Sequence, residues 1–171
     1  AYFGGDNGQF FYFNKSANET WNLSLTDVGG FIGTNAIQDM CYEQTDGGVY
    51  IVGNIGTFGY YNKTTNITHD LSATDGAGNF MGTNALRGVA CDKEGNSYII
   101  GVSAVFGYYN KTTNITHNLG DTDTGNWMST TQFNKVAVDN EGNAYVVSNS
   151  VSNLAGFGYY NKTTNITHDL R

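Results

Sequence analysis

Proline is absent from this 171-residue chain, cysteine occurs twice, and 8 basic residues stand against 15 acidic ones, for a formal net charge of -7. Without proline, turns fall to glycine and to the small polar residues that tolerate turn geometry. The basic residues are scattered singly, whereas phosphate binding needs clustered Lys and Arg to release counterions. Nucleic acid is therefore not an expected partner. Long apolar runs are lacking too. The longest, such as residues 98–100, cover a few positions against the roughly 20 of a membrane helix, so membrane insertion is not expected. At 39% hydrophobic the chain is not disordered by composition and can bury one core, or several small units that share one. It begins with Ala1 rather than Met and shows no anchor or signal peptide, which reads as a processed mature form or a piece of a longer chain. Its acidic, aromatic-rich, Gly- and Asn-rich make-up suits a secreted protein.

What the chain does have is repetition. FGYYNKTTNITHDL fills residues 58–71 and returns unchanged at 157–170. Residues 106–119 read FGYYNKTTNITHNL, and residues 10–23 (FFYFNKSANETWNL) are a diverged copy. The copies begin at 10, 58, 106 and 157, and a period of 40 to 50 residues built of short strands marks a propeller or a related repeat array. Each period divides into four apolar segments. In the last, residues 133–139 form strand A, Asn140-Glu141-Gly142-Asn143 a tight turn, 144–147 strand B, 157–161 strand C and 165–170 strand D. Glycine within that turn supplies positive φ. Strand B reads YIVG, YIIG and YVVS without polar alternation, which predicts that both its faces are covered.

An Asp, two spacers and Gly-Asn ahead of an aromatic strand, followed by the Gly, Asn and Thr of the next hairpin, resemble the repeats of two-component-regulator and NHL-type β-propellers. The resemblance spans essentially the whole chain. It implies an all-β, β-propeller-like array of four-stranded antiparallel blades, and admits a sensor ectodomain fragment, but it says little of activity because propellers host many functions. The expected blades are residues 1–24 (partial), 35–71, 84–119 and 131–170. The first begins at its strand B, so its innermost strand is missing; a longer repetitive chain or another molecule would supply it. Four blades sit near the lower limit for a ring, so an open array is as good a reading as a closed one.

Nine Asn-x-Ser/Thr acceptor sites occur, at Asn14, Asn18, Asn22, Asn62, Asn66, Asn110, Asn114, Asn161 and Asn165. All but Asn22 flank the C to D turn, on the outermost strands of a blade, where an oligosaccharide would project into solvent. We read them as N-glycosylation sites; the alternative is that Asn and Thr simply make a good turn. The lysine in each turn, Lys15, Lys63, Lys111 or Lys162, reads as a solvated guard of a sheet edge. His69, His117 and His168 share one repeat position with Trp21 and are not expected to converge on a metal.

The D to A loops carry Asp27 with Phe31, Asp75 with Asn79 and Phe80, and Asp123 with Asn126 and Trp127. An acid, an amide and an aromatic are the parts of a sugar or calcium site, though no specific calcium motif is present. They are equally the parts of a connection whose aromatic plugs the core, the reading favoured here. DTGNW is similar to the Asp-box of sialidase-like propellers but one residue short. No nucleophile with its base, paired carboxylates or phosphate loop is visible, so neither catalysis nor a cofactor is expected. Cys41 and Cys91 lie on strands A of adjacent blades; they are either a disulfide or two buried thiols, and the second is favoured. The function expected is an extracellular or cell-surface structural or adhesive repeat protein, bound to copies of itself or to further repeats. The rival is a carbohydrate-binding propeller using the inter-blade loops.

Overall fold

In the computed structural model, residues 1–123, 127–128, 132–149 and 156–170 are described. Their strands are β1 (Tyr2–Gly4), β2 (Phe10–Asn14), β3 (Glu19–Asn22), β4 (Ile37–Tyr42), β5 (Val49–Gly53), β6 (Phe58–Asn62), β7 (Ile67–Asp70), β8 (Leu86–Cys91), β9 (Ser97–Gly101), β10 (Phe106–Asn110), β11 (Ile115–Asn118), β12 (Gln132–Val138), β13 (Ala144–Asn149), β14 (Gly156–Asn161) and β15 (Ile166–Asp169). Helical structure among the described residues is confined to short 3-10 turns. The strands make four antiparallel sheets in simple up-and-down order: β1-β2-β3, then β4-β5-β6-β7, β8-β9-β10-β11 and β12-β13-β14-β15. The first sheet has three strands, without the inner strand that leads each of the others.

Hairpin chemistry sets this register. Gly47, Gly95 and Gly142 turn strand A into strand B with φ of +77, +87 and +83, where a side chain is disfavoured. One tyrosine pair then repeats across every B–C hairpin: Tyr2 with Tyr12, Tyr50 with Tyr60, Tyr98 with Tyr108 and Tyr145 with Tyr159, ring centroids 4.8–5.0 Å apart. Such cross-strand aromatic pairs fix which side chains share a face. Strand A carries the same register shift three times, at Ile37/Asp39, Leu86/Gly88 and Phe133/Lys135, a bulge that bends the inner strand.

The core lies between the sheets, in three layers. Phe10, Ile51 and Tyr61 join the first sheet to the second. Tyr50, Phe58, Val89 and Tyr109 join the second to the third, and Tyr98, Phe106, Val146 and Tyr160 the third to the fourth. In each layer the first phenylalanine of one copy meets a tyrosine of the next edge-on: Phe10 with Tyr61, Phe58 with Tyr109, Phe106 with Tyr160. Each buried ring is worth about 1.5–3 kcal/mol. Strands β5 and β9 are buried at every position. Strand β13 is not: its burial alternates and Val147 is 43% exposed. The apolar run YVVS thus has one open face, because among the described residues no sheet follows the fourth.

Two further contacts recur at each junction. A threonine of the D to A loop meets a buried threonine of the next outer strand, Thr26 with Thr68 at 2.7 Å, Thr74 with Thr116 and Thr122 with Thr167 at 2.6 Å. The loop aromatic lies on the glycine of the next strand C: a Cβ at Gly59, Gly107 or Gly158 would meet Phe31, Phe80 or Trp127. Replacing Gly107 by Ala puts that Cβ 2.8 Å from the Phe80 ring and should cost about 1–3 kcal/mol. In urea unfolding, Phe80→Ala in the same chain should recover part of that loss. Strict additivity of the two changes would show that the ring does not occupy the glycine.

Candidate functional site

The A–B and C–D turns share one face of the array, and the B–C and D–A loops the other. On the first face each C–D turn is closed by its two asparagines. Asn62 Oδ1 accepts the backbone N–H groups of Thr64 and Thr65 at 2.9 and 3.1 Å, and Asn110 and Asn161 do the same. Asn66, Asn114 and Asn165 adopt φ of +56 to +57, and their Oδ1 atoms accept the hydroxyls of Tyr61, Tyr109 and Tyr160 at 2.9–3.0 Å. In the first copy Asn14 Oδ1 accepts the Ser16 and Ala17 N–H groups and Asn18 has φ of +55, but Phe13 replaces the tyrosine and supplies no hydroxyl. Asparagine tolerates this left-handed backbone better than most residues. The second asparagine of each turn is exposed, the first half-buried, and Asn22 is exposed at the end of β3.

Lysine is where the sequence reading and the structure part. Lys111 and Lys162 do not guard an edge in solvent; each reaches into the A–B turn of the preceding sheet. Lys111 Nζ lies 2.8 Å from Glu43 Oε2 and 2.7 Å from Asp46 Oδ2, over the ring of Tyr60. Lys162 Nζ lies 2.9 Å from both Asp92 Oδ2 and Glu94 Oε2, over Tyr108. Their own turns are tied down locally, since the Lys111 and Lys162 N–H groups donate to Asn96 Oδ1 and Asn143 Oδ1. The side chains of Glu43 and Asp92 are fully buried. Burial alone would lower the pKa of Lys111 and of Lys162, but hydrogen bonds and attraction from these carboxylates raise both. Burial would likewise raise Asp46, yet Glu43, Lys111, Tyr60 and the Gly48 N–H together hold it below the usual carboxylate range. Lys63 sits over Tyr12 at 5.7 Å, and among the described residues neither it nor Lys15 has a carboxylate partner. The signal was in the sequence: every C–D turn carries a lysine and every A–B turn acids, on one face.

On the opposite face the loop acids fold their own loops. Asp27 Oδ2 accepts the N–H groups of Ile32 and Gly33, Asp75 Oδ2 that of Met81 and Asp123 Oδ2 that of Met128. Phe31 and Asn79 line one cavity of about 250 Å³, and Phe80 and Asp123 a corresponding one of about 180 Å³. Asn126 lies outside the described residues. Among the described residues no group of three or more His, Cys, Asp or Glu could hold a metal ion. His117 and His168 stack on Tyr108 and Tyr159 of the neighbouring strand. Cys41 and Cys91 are bonded, with Cα atoms 5.9 Å apart, and tie β4 to β8.

No protein-family model and no curated protein matches this chain. Solved structures do. The chain superposes on the extracellular domain of a putative hybrid two component system from Bacteroides thetaiotaomicron with a TM-score of 0.68 at 9% identity, over 98% of this chain and 20% of that one. The fold is that of a β-propeller repeat. An auxiliary nutrient binding protein from the same organism superposes with a TM-score of 0.62 at 12% identity, covering 98% of this chain and 38% of that one. A chain of the COPII outer coat vertex on membranes gives 0.70 at 13% identity, with 99% and 46% covered. This propeller chain therefore spans less than half the length of each. At such identities the likeness is one of fold alone.

The geometry predicts unequal costs for the same substitution at equivalent lysines. Lys162→Met strands the buried Asp92 carboxylate and should cost about 2–3 kcal/mol, below the full figure for a buried pair because the lysine keeps 28% exposure. Lys63→Met should cost under about 1 kcal/mol. Equal midpoints in urea for the two variants would contradict the ion-pair assignment.

Proposed function

We propose that this chain is part of an extracellular, N-glycosylated β-propeller protein with a structural or adhesive role, binding copies of itself or further repeats of its own kind rather than catalysing a reaction. The observation that carries the reading is the placement of acceptor asparagines on the outermost hairpin of all four repeats, with Asn18, Asn66, Asn114 and Asn165 exposed. A sugar on such a turn leaves the three buried layers untouched. The Cys41–Cys91 bond between inner strands suits an oxidising compartment outside the cytosol, and structural neighbours include extracellular domains.

A second reading, a carbohydrate-binding propeller, draws on the corresponding cavities beside Phe31 and Phe80 and on the nutrient binding protein among the neighbours. The turn residues Ile55 and Ser103 line these cavities and are exposed. The chain should be secreted from a eukaryotic host and its mass compared before and after glycosidase treatment. The first reading predicts removable sugar that maps to the C–D turns; an unmodified chain at all nine sites would overturn it. Saturable binding on a glycan array that is lost in Ile55→Glu and Ser103→Glu would instead establish the second.

A further inference from the structure

We propose that the open face of the fourth sheet is a docking site for the first sheet of a second copy of this chain, with Lys15 of the incoming copy held by Asp139, Glu141 and Tyr159. The inference rests on the self-association reading above and names its surface.

The apolar part of the face is defined by comparison within the molecule. Phe10, Phe58 and Phe106 open strand C in the first three sheets and are 0% exposed, each covered by the sheet that follows. Phe157 occupies the same place on β14 and is 42% exposed. Val147 corresponds to Val52 and Ile100, which are fully buried. Tyr145, Val147 and Phe157 thus form a contiguous patch matching surfaces that are covered elsewhere in the chain. The first sheet offers the complement. Phe3 takes the place of Ile51, Ile99 and Val146, all fully buried, yet is 52% exposed. Phe13 takes the place of Tyr61, Tyr109 and Tyr160, the rings that meet a preceding phenylalanine edge-on.

The polar part repeats a site whose occupant is known. Asp92, Glu94 and Tyr108 hold Lys162. The sequence Asp-x-Glu-Gly-Asn of that turn recurs at residues 139–143, with the same internal bonds: Asp139 Oδ1 accepts the N–H groups of Glu141 and Asn143 at 2.9 Å, as Asp92 Oδ1 accepts those of Glu94 and Asn96. Tyr159 stands where Tyr108 does, paired across its hairpin with Tyr145. Among the described residues no lysine or arginine lies within ion-pair distance of Asp139 or Glu141. Lys15 projects from a turn closed like that of Lys162, with Asn14 Oδ1 accepting the Ser16 and Ala17 N–H groups. Among the described residues it is the one turn lysine with neither an ion pair nor a cation–π contact.

One departure from the internal junctions also fits. Where β6, β10 and β14 have the glycine that receives a loop aromatic from the preceding sheet, β2 carries Phe11. The ring is built into the strand, so the incoming copy needs no plug from its neighbour. The flanking asparagines do not obstruct, because Asn114 and Asn165 remain exposed at junctions where Lys111 and Lys162 are inserted. Such a contact joins two different surfaces, so it propagates until it closes a ring or extends into a fibre.

Sedimentation velocity over a concentration series tests this on the secreted chain and on exposed charge variants. Lys15→Glu and Glu141→Lys each place like charges together and should weaken association about tenfold or more. The double variant Lys15→Glu/Glu141→Lys restores opposite charges and should recover most of the loss. Association that ignores both single changes would overturn the docking site while leaving self-association standing. A wild-type chain that stays monomeric at about 100 μM, a weak affinity on the usual scale, would overturn both.

Discussion

Every other feature of this molecule depends on the burial of one sheet's flat face against the next. A sheet whose middle strand is apolar on both sides, as β5 and β9 are, cannot be stable alone in water; it needs a neighbour in front and one behind. Serial stacking supplies both, and it converts a local pattern into a global one. A residue that suits one junction suits them all, so duplication of a 48-residue unit reproduces a working interface at each step.

The near identity of the outer hairpin follows from how many contacts each letter makes. In FGYYNKTTNITH the second tyrosine is buried between sheets in all three copies and the phenylalanine in the two that have a following sheet, and the glycine makes room for a loop aromatic. The first asparagine closes the turn, the lysine enters the carboxylates of the sheet before it at Lys111 and Lys162, and the second asparagine turns the chain with positive φ. The last threonine bonds a hydroxyl of the preceding loop. Buried ion pairs add little net stability because desolvation offsets attraction, but they penalise wrong registers heavily. Lys111 and Lys162 accordingly read as registration pins, set at the same place in successive layers. The asparagine and threonine of the motif Asn-Ile-Thr thus each make a contact that the fold uses.

Strand order, the two hairpins and the missing inner strand of the first sheet were legible because period and turn chemistry are local properties. The glycine of Glu-Gly-Asn marks a turn whatever surrounds it. Lys111 and Lys162 were misread because an Nζ atom and its carboxylates lie 65 or more residues apart, and a charge in a turn looks solvated until the adjacent layer is in place. Val147 was misread for the converse reason: an apolar run tells that a face can be covered, and only the layer count tells whether it is. The loop acids Asp27, Asp75 and Asp123 show the same limit. Their residue types fit ligand binding and loop closure equally, and the backbone bonds to Ile32, Met81 and Met128 depend on a loop path that composition does not specify.

Native-state hydrogen exchange tests the layered burial most directly, since protection reports how completely each strand is covered. The account predicts the slowest exchange in β5 and β9, faster exchange in β13, and the fastest in β1 and β3 at the open end. Protection in β1 equal to that of β9, at a protein concentration where the chain is monomeric, would contradict it.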